Sequence, residues 1–312
     1  MSALASSRLV FRAMGSEISV VVEAGPATPL SEVPEWFRSW ERRLSRFDPA
    51  SELCALNRSS GAPWQVSPTL WQVLRAALAA ADATGGLVTP TILEALESAG
   101  YTDSFERVPT SGAAVTPAPK GSNDFRSIEL DESRRMVTLP TGLRLDLGGT
   151  GKGWAADQAA AQLAPLGPAQ VNAGGDISLS GPRDGGRAWE IAVESPLVAG
   201  EVLGVLALDR GGVATSGRSH RRWQRGGVWQ HHLIDPRSGC PARTDVISAT
   251  VVGPSALVAE VAAKQVLILG AQAGMAWLEA QASLAGLVVL DDGTVTESSR
   301  MGQYWLAPGE GR

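Results

Sequence analysis

Cysteine is scarce in this chain. There are two in 312 residues, Cys54 and Cys240, far apart and without metal-ligand spacing. That argues against a cysteine metal site and reads as free or buried thiols of a reducing compartment. Histidine is nearly as rare, with only His220, His231 and His232 available for acid–base work. No continuous apolar run approaches membrane length, so no membrane segment is expected. Positive charge is not in excess. The formal net charge of −5 speaks against a bulk surface for nucleic acid. The opening MSALASSRLVFRAMG lacks the apolar core of an export signal and offers no cysteine for a lipid anchor. The expected location is therefore cytoplasmic, with a trimmed exported form as the alternative. No internal repeat at a fixed period is visible.

What is present is an ordinary globular composition, 44% apolar and 19% charged, with length for one large domain or two smaller ones. Residues 8–24 alternate and then run apolar, which predicts a strand pair turning at Met14-Gly15. Residues 25–34 form a proline-bearing linker. Trp36, Phe37, Trp40, Leu44 and Phe47 mark one face of a helix. Ser67-Pro68 opens a second helix over residues 70–83. Residues 109–124 are rich in Pro, Gly, Ser and Ala and predict a loop. A hairpin is expected from residues 128–131 and 136–139, then strands at 189–194, 202–208, 229–234 and 246–252. Helices follow at 255–269 and 275–285, and short strands at 287–290 and 303–306. Strands come in runs rather than in strict βα alternation. The fold class this predicts is α+β, with mixed, largely antiparallel sheets and packed helices.

The densest chemical signal is Asp146-Leu147-Gly148-Gly149-Thr150-Gly151-Lys152-Gly153, set between a strand-like run at 141–147 and an apolar-periodic helix through Trp154 and Ala160. Glycines allow close backbone approach, a helix N-terminus presents free N–H groups, and Lys152 adds a positive charge. The segment reads either as a phosphate-cradling turn or as a plain tight turn. It is not a Walker A loop, since Asp146 stands at the first required glycine and Gly153 at the Ser/Thr. Nor is it a dinucleotide fingerprint, whose third glycine would fall on Trp154. Val171 to Asp176 makes a second glycine turn between strand-like runs. His231 and His232 begin a strand-like segment, where neighbours face opposite ways. One of them can then face a site while the other faces solvent. Taken alone the pair reads as structural, since only Asp235 lies near it in sequence.

In combination these segments resemble the ApbE-type FAD:protein FMN transferases. Met14-Gly15-Ser16 is similar to the family's early M-G-T element. Ser45-Arg46-Phe47-Asp48-Pro49 with Ser51-Glu52-Leu53 and Asn57 resembles S-x-[YF]-x-P-x-S-E-L-x-x-x-N. Residues 84–91 resemble T-x-G-x-F-D-P-T, and the glycine turn through Asp157 resembles D-L-G-G-I-A-K-G-Y-A-x-D. Asn172-Ala173-Gly174-Gly175-Asp176 matches N-A-G-G-D, and Ala214-Thr215-Ser216-Gly217 matches A-T-S-G. Residues 232–239 resemble H-x-I-D-P-R-T-G, and residues 259–270 resemble the late helix A-D-A-x-A-T-A-L-x-V-L-G. The eight segments run in the family's order over nearly the whole chain.

The resemblance implies a single ApbE-like, T-fold-like domain over residues 1–312. It implies flavin-nucleotide contacts at Met14, Phe47, Leu87, Val88, Thr89 and Ile234. Asp146 and Lys152 would hold the nucleotide, with Lys152 on the pyrophosphate. Asn172, Gly174, Gly175, Asp176, Thr215 and Ser216 would form the site floor. His232 would be the base, oriented by Asp235, and FAD the substrate. The partner would be an acceptor flavoprotein with a modifiable threonine. The implied reaction moves FMN to that hydroxyl and releases AMP. The alternatives are an FAD pyrophosphatase giving FMN and AMP, and a non-catalytic FAD-binding protein. The family's Mg²⁺ site would fall on the Gly149 carbonyl, Glu260 and Lys264. Here Glu and Lys stand where the family has Asp and Thr, and Thr89 replaces an Asp. Two readings of Glu260 and Lys264 stay open. They form an ordinary i,i+4 helix pair, or they sit at the site with the ammonium partly replacing the metal.

Overall fold

The computed structural model describes residues 6–23, 30–59, 61–109, 112–113 and 124–306. Residues 24–29, which take in half of the linker, and most of the predicted loop at 109–124 lie outside them. The chain forms two compact units. One takes the chain up to Trp36, Lys152–Gly217 and the chain from Thr244 on; the other takes Phe37–Gly151 and Arg218–Arg243. Among the described residues no helix is long and apolar enough to cross a membrane.

The first unit is built on an eight-stranded sheet in the order Ser6–Ala13, Ser16–Glu23, Ala169–Ala173, Asp176–Leu179, Gly211–Gly217, Val246–Gly253, Ala285–Leu290, Val295–Glu297. Every neighbouring pair is antiparallel. The alternation in Ser16–Glu23 does what a period of two dictates, burying Ile18, Val20 and Val22. Its hairpin turns on Met14 (φ 52°) and Gly15 (φ 66°), the two left-handed residues that a tight hairpin turn matching strand twist requires. The helix Ala256–Leu269, capped by the Ser255 hydroxyl, packs on strands Gly211–Gly217 and Val246–Gly253. A separate antiparallel pair, Trp189–Glu194 with Val202–Leu208, supplies Trp189, Ile191 and Leu206 to a core shared with Ile177, Val213 and Leu287 of the sheet.

The second unit is mostly helix and turn. Helix Pro68–Ala83 starts at the Ser67 cap as its Ser-Pro signal predicts, and buries Leu70, Val73, Leu74 and Ala77. Helix Glu52–Arg58 starts at the Ser51 cap. The predicted hairpin forms from Glu129–Asp131 and Met136–Thr138, and Trp64–Gln65 adds an unforeseen third strand.

Several expectations are corrected. Residues 141–147 join no sheet: Thr141-Gly142 form a turn and residues 143–147 lie outside any helix or strand. Their backbone is satisfied instead by Asn57, whose side chain bonds Leu145 N–H and C=O at 2.8 and 2.9 Å, and by the Pro90 carbonyl, which takes Asp146 N–H at 2.8 Å. The strand expected at 229–234 breaks into Val228–His231 and Ile234–Asp235, paired to different partners. Helix Ala271–Glu279 stands where 275–285 was expected, because Ala285 is already in a buried strand. Residues Met301–Tyr304 form a 3₁₀ turn rather than a strand. The helix Val33–Leu44 ends before Phe47.

Candidate active site

In the first unit, one end of the sheet gathers three predicted segments. Gly174 N–H donates to the Glu17 carbonyl at 3.0 Å, and a Cβ at Gly174 would lie 2.6 Å from Ser16 Oγ, so the glycine turn abuts the strand that leaves Met14-Gly15. Asn172 Oδ1 closes the turn on Gly175 N–H at 2.8 Å. Gly175 then accepts from Thr215 N–H at 3.3 Å, and Ala214 pairs with Asp176. Ser216 is buried, while the exposed Thr215 bonds Thr250 through its hydroxyl at 2.8 Å. Met14 is half-buried and holds a left-handed backbone that a side chain rarely adopts.

Four charged side chains meet beside this end. Lys152 lies on the first turn of helix Gly151–Leu163, Asp176 begins its strand, and Glu260 and Lys264 are one turn apart on helix Ala256–Leu269. Lys152 Nζ bonds the Asp176 carboxylate and reaches Glu260 Oε1 at 3.2 Å. Lys264 Nζ bonds the same Oε1 at 2.8 Å, and Gly153 N–H bonds Oε2 at 2.9 Å. Side-chain exposures are 15% for Lys152, 2% for Asp176, 0% for Glu260 and 12% for Lys264. The i,i+4 pair therefore exists, but as part of a buried network rather than a solvated helix face. Burial and then repulsion by Glu260 push Asp176 up to about 7, against the pull of Lys152 and Lys264. Burial opposes the charge on Glu260 too, but the Lys152 and Lys264 ammoniums outweigh it and hold the carboxyl down at about 2. The two lysines thus favour the charged form of Glu260, while burial and its neighbour Glu260 work against the charge on Asp176. Asp157, the last residue of the glycine-turn motif, has a structural job. Its carboxylate caps the Ala256 and Leu257 amides at 2.9 and 3.0 Å and fixes the start of the late helix.

These residues do not fit a magnesium ion. Mg²⁺ demands near-octahedral oxygen ligands at about 2.0–2.1 Å. Both Glu260 oxygens already accept N–H donors, and a charged lysine offers no lone pair. Among the described residues no group of three or more His, Cys, Asp or Glu is placed to hold a metal.

In the second unit, Asp146 is paired with Arg46 at 2.7 Å and accepts Gly148 N–H at 2.8 Å, which shapes the start of the turn that carries Gly149. Arg46 was not foreseen. Its guanidinium sits 4.0 Å over the Phe47 ring and 4.5 Å over Tyr101, and donates to the Tyr101 carbonyl at 2.9 Å. Its signal was available as an arginine next to the motif aromatic, in a chain whose other motifs supply a carboxylate. Ser51 accounts for the rest of that motif. Fully buried, it caps Cys54 N–H and donates to the Ser45 carbonyl at 2.5 Å. Thr89 and Thr91 share a hydroxyl bond of 2.8 Å inside a buried turn, so the Asp-to-Thr departure leaves a self-satisfied pair. Thr84 holds Val88 N–H at 3.0 Å, and Gly85 and Gly86 at positive φ bend the chain before Leu87. An open cleft of about 410 Å³ lies along residues 84–87, 124–126 and Pro236-Arg237, so Leu87 lines a cavity. Ile234 is buried in an apolar cluster with Leu96, Tyr101 and Trp223.

The histidines divide by environment. His231, the one expected to face either site or solvent, faces neither. It is buried, with one ring nitrogen on the Ala242 carbonyl at 2.9 Å and the other accepting Leu233 N–H at 3.3 Å. Burial pushes its pKa down to about 4. His232 is half-buried in the bend after the strand, with Nδ1 turned away from solvent. The Asp235 carboxylate is clamped by Arg237, Nε at 2.9 Å and a terminal nitrogen at 2.8 Å, and accepts the Arg237 amide at 2.9 Å. It thereby stabilises its own turn.

Residues 14–288 match the ApbE family model. The FAD:protein FMN transferase of Treponema pallidum is 28% identical over 86% of this chain and 79% of its own length. That of Rhodobacter capsulatus is 29% identical over 90% of this chain and 54% of its own. The crystal structure of the ApbE protein from Thermotoga maritima superposes with a TM-score of 0.85 at 26% identity, covering 97% of this chain and all of that one.

Proposed function

The chain belongs to the ApbE family, and from that premise we propose that it transfers the FMN half of FAD to a threonine hydroxyl of an acceptor protein. His232 takes the hydroxyl proton, the oxygen bonds the FMN-side phosphorus, and the anhydride bond breaks with AMP as leaving group. The observation that carries this reading is the division of labour among the histidines. His231 is engaged on both ring nitrogens and kept neutral, and His220 is exposed, which leaves His232 as the candidate base. Lys152, on the first turn of its helix, supports the reading as the cation for the pyrophosphate. Phosphoryl transfer of this kind needs positioning and charge neutralisation more than covalent help from the protein.

The test is incubation with FAD and a threonine-bearing acceptor, read by intact mass and AMP release. The expected outcome is a mass gain of one FMN on the acceptor, lost in His232→Ala by about 10²-fold or more while FAD still binds. AMP without modified acceptor would make the protein an FAD pyrophosphatase instead. FAD recovered intact would leave only binding.

A further inference from the structure

Resting on the reading of this site as a flavin-nucleotide transferase, we infer that the Lys152–Asp176–Glu260–Lys264 network replaces a divalent cation, with the Lys264 ammonium as its fixed positive charge. The first argument is charge balance. Two ammoniums and two carboxylates cancel, and all four side chains are largely withdrawn from water. A dication added to this pocket would bring two uncompensated charges into a medium that tolerates none cheaply. The second argument is valence. Glu260 Oε1 accepts two ammoniums at 2.8 and 3.2 Å, its Oε2 accepts Gly153 N–H, and Asp176 Oδ2 accepts Lys152.

The third argument is steric. A Cβ at Gly153 would stand 2.7 Å from Leu257 Cα and 2.8 Å from Glu260 Oε2. The helix that carries Lys152 is therefore pressed against the carboxylate, with no room between them for a hydrated ion. Lys264, one helical turn from Glu260, cannot leave that oxygen without taking an ammonium partner from a fully buried carboxyl group. A monovalent ammonium on a rigid helix does part of a metal's work. It takes the place on Glu260 that the ion would fill, so no ion has to bind there before FAD.

The deciding experiment is a Mn²⁺ titration of the full chain, stripped with chelator, with and without FAD. Free Mn²⁺ is read by its paramagnetic resonance signal and FAD affinity by flavin fluorescence. The wild type is expected to bind no Mn²⁺ at low-millimolar ion in either state, and to hold FAD equally well in chelator. Lys264→Thr, which removes one ammonium from Glu260 and supplies a hydroxyl, is expected to gain Mn²⁺ binding and make FAD affinity ion-dependent by about tenfold. Stoichiometric Mn²⁺ on the wild type overturns the inference, even if the variant fails to fold. So does a folded Lys264→Thr that takes up no ion. Because the readouts are ion and flavin binding, failed FMN transfer would count against the proposed function and leave this inference standing.

Discussion

At His231 the packing has chosen a tautomer. Leu233 N–H donates to Nδ1, so Nε2 carries the proton and donates to the Ala242 carbonyl. Protonating Nδ1 would break the first bond and bury a charge. The folded-state pKa of about 4 lies below the unfolded value of 6.5, so this contribution to stability is present above pH 6.5 and is lost as pH falls toward 4. Over that window it amounts to roughly 3 kcal/mol. His231→Gln should cost about 1 kcal/mol at pH 7, yet lose less stability than the wild type between pH 7 and 4.5 in urea melts. An equal loss in both proteins would show that His231 does not set the acid response. The same position shows how far sequence reaches at this scale. Two adjacent histidines in a strand-like run suggested opposite faces. The strand ends at His231, so alternation has no hold on His232. Lys152, Asp176, Glu260 and Lys264 were each visible as motif members, but their meeting depends on strand order and helix packing between distant segments. Arg46 was passed over although it stands beside the motif aromatic, because its partner Asp146 lies a hundred residues on.

Elements show the same division between local code and distant partner. Helices starting at Ser67 and Ser255 were legible, because a cap and an apolar stripe are local features, whereas the short helix after the Ser51 cap was not foreseen. Residues 141–147 alternate like a strand, and Leu143, Leu145 and Leu147 are buried as alternation demands. What decides sheet membership is a partner for the backbone, and here the partner is the side chain of Asn57. Val295–Glu297 was invisible for the opposite reason. All three residues are exposed and show no burial pattern. The sharpest constraint between elements is Gly153. Gly153→Ala would drive a methyl into the backbone of the late helix and should lower stability by about 1–3 kcal/mol. It should also lower FAD affinity, since Lys152 and Glu260 sit on the two elements forced apart. Thermal melts with flavin titration check both effects, and an unchanged melting temperature would show that the helices yield freely.

At the scale of the whole molecule, binding can be read as stability. A ligand held only by the folded chain stabilises it by about 2.7 kcal/mol at a hundredfold excess over Kd. FAD should therefore raise the melting temperature, and Lys152→Met should abolish most of that rise, whatever it does to the unliganded baseline. An undiminished shift in the variant would remove Lys152 as the pyrophosphate cation. Class and strand-run character were legible for the whole chain, since runs of strands without βα alternation mark α+β. The strand order was not, because the sheet draws neighbours from far apart in sequence. Its order places Ser16–Glu23 beside Ala169–Ala173, with Val20 opposite Val171. During synthesis the first hairpin emerges complete, but the strand that covers its inner edge is made on the order of ten seconds later. Through that interval Ile18, Val20 and Val22 lie on an open strand edge that any β-prone neighbour can join. The nascent chain is thus most vulnerable to aggregation before its middle has been translated, and ribosome-associated chaperones would have their strongest claim on it there.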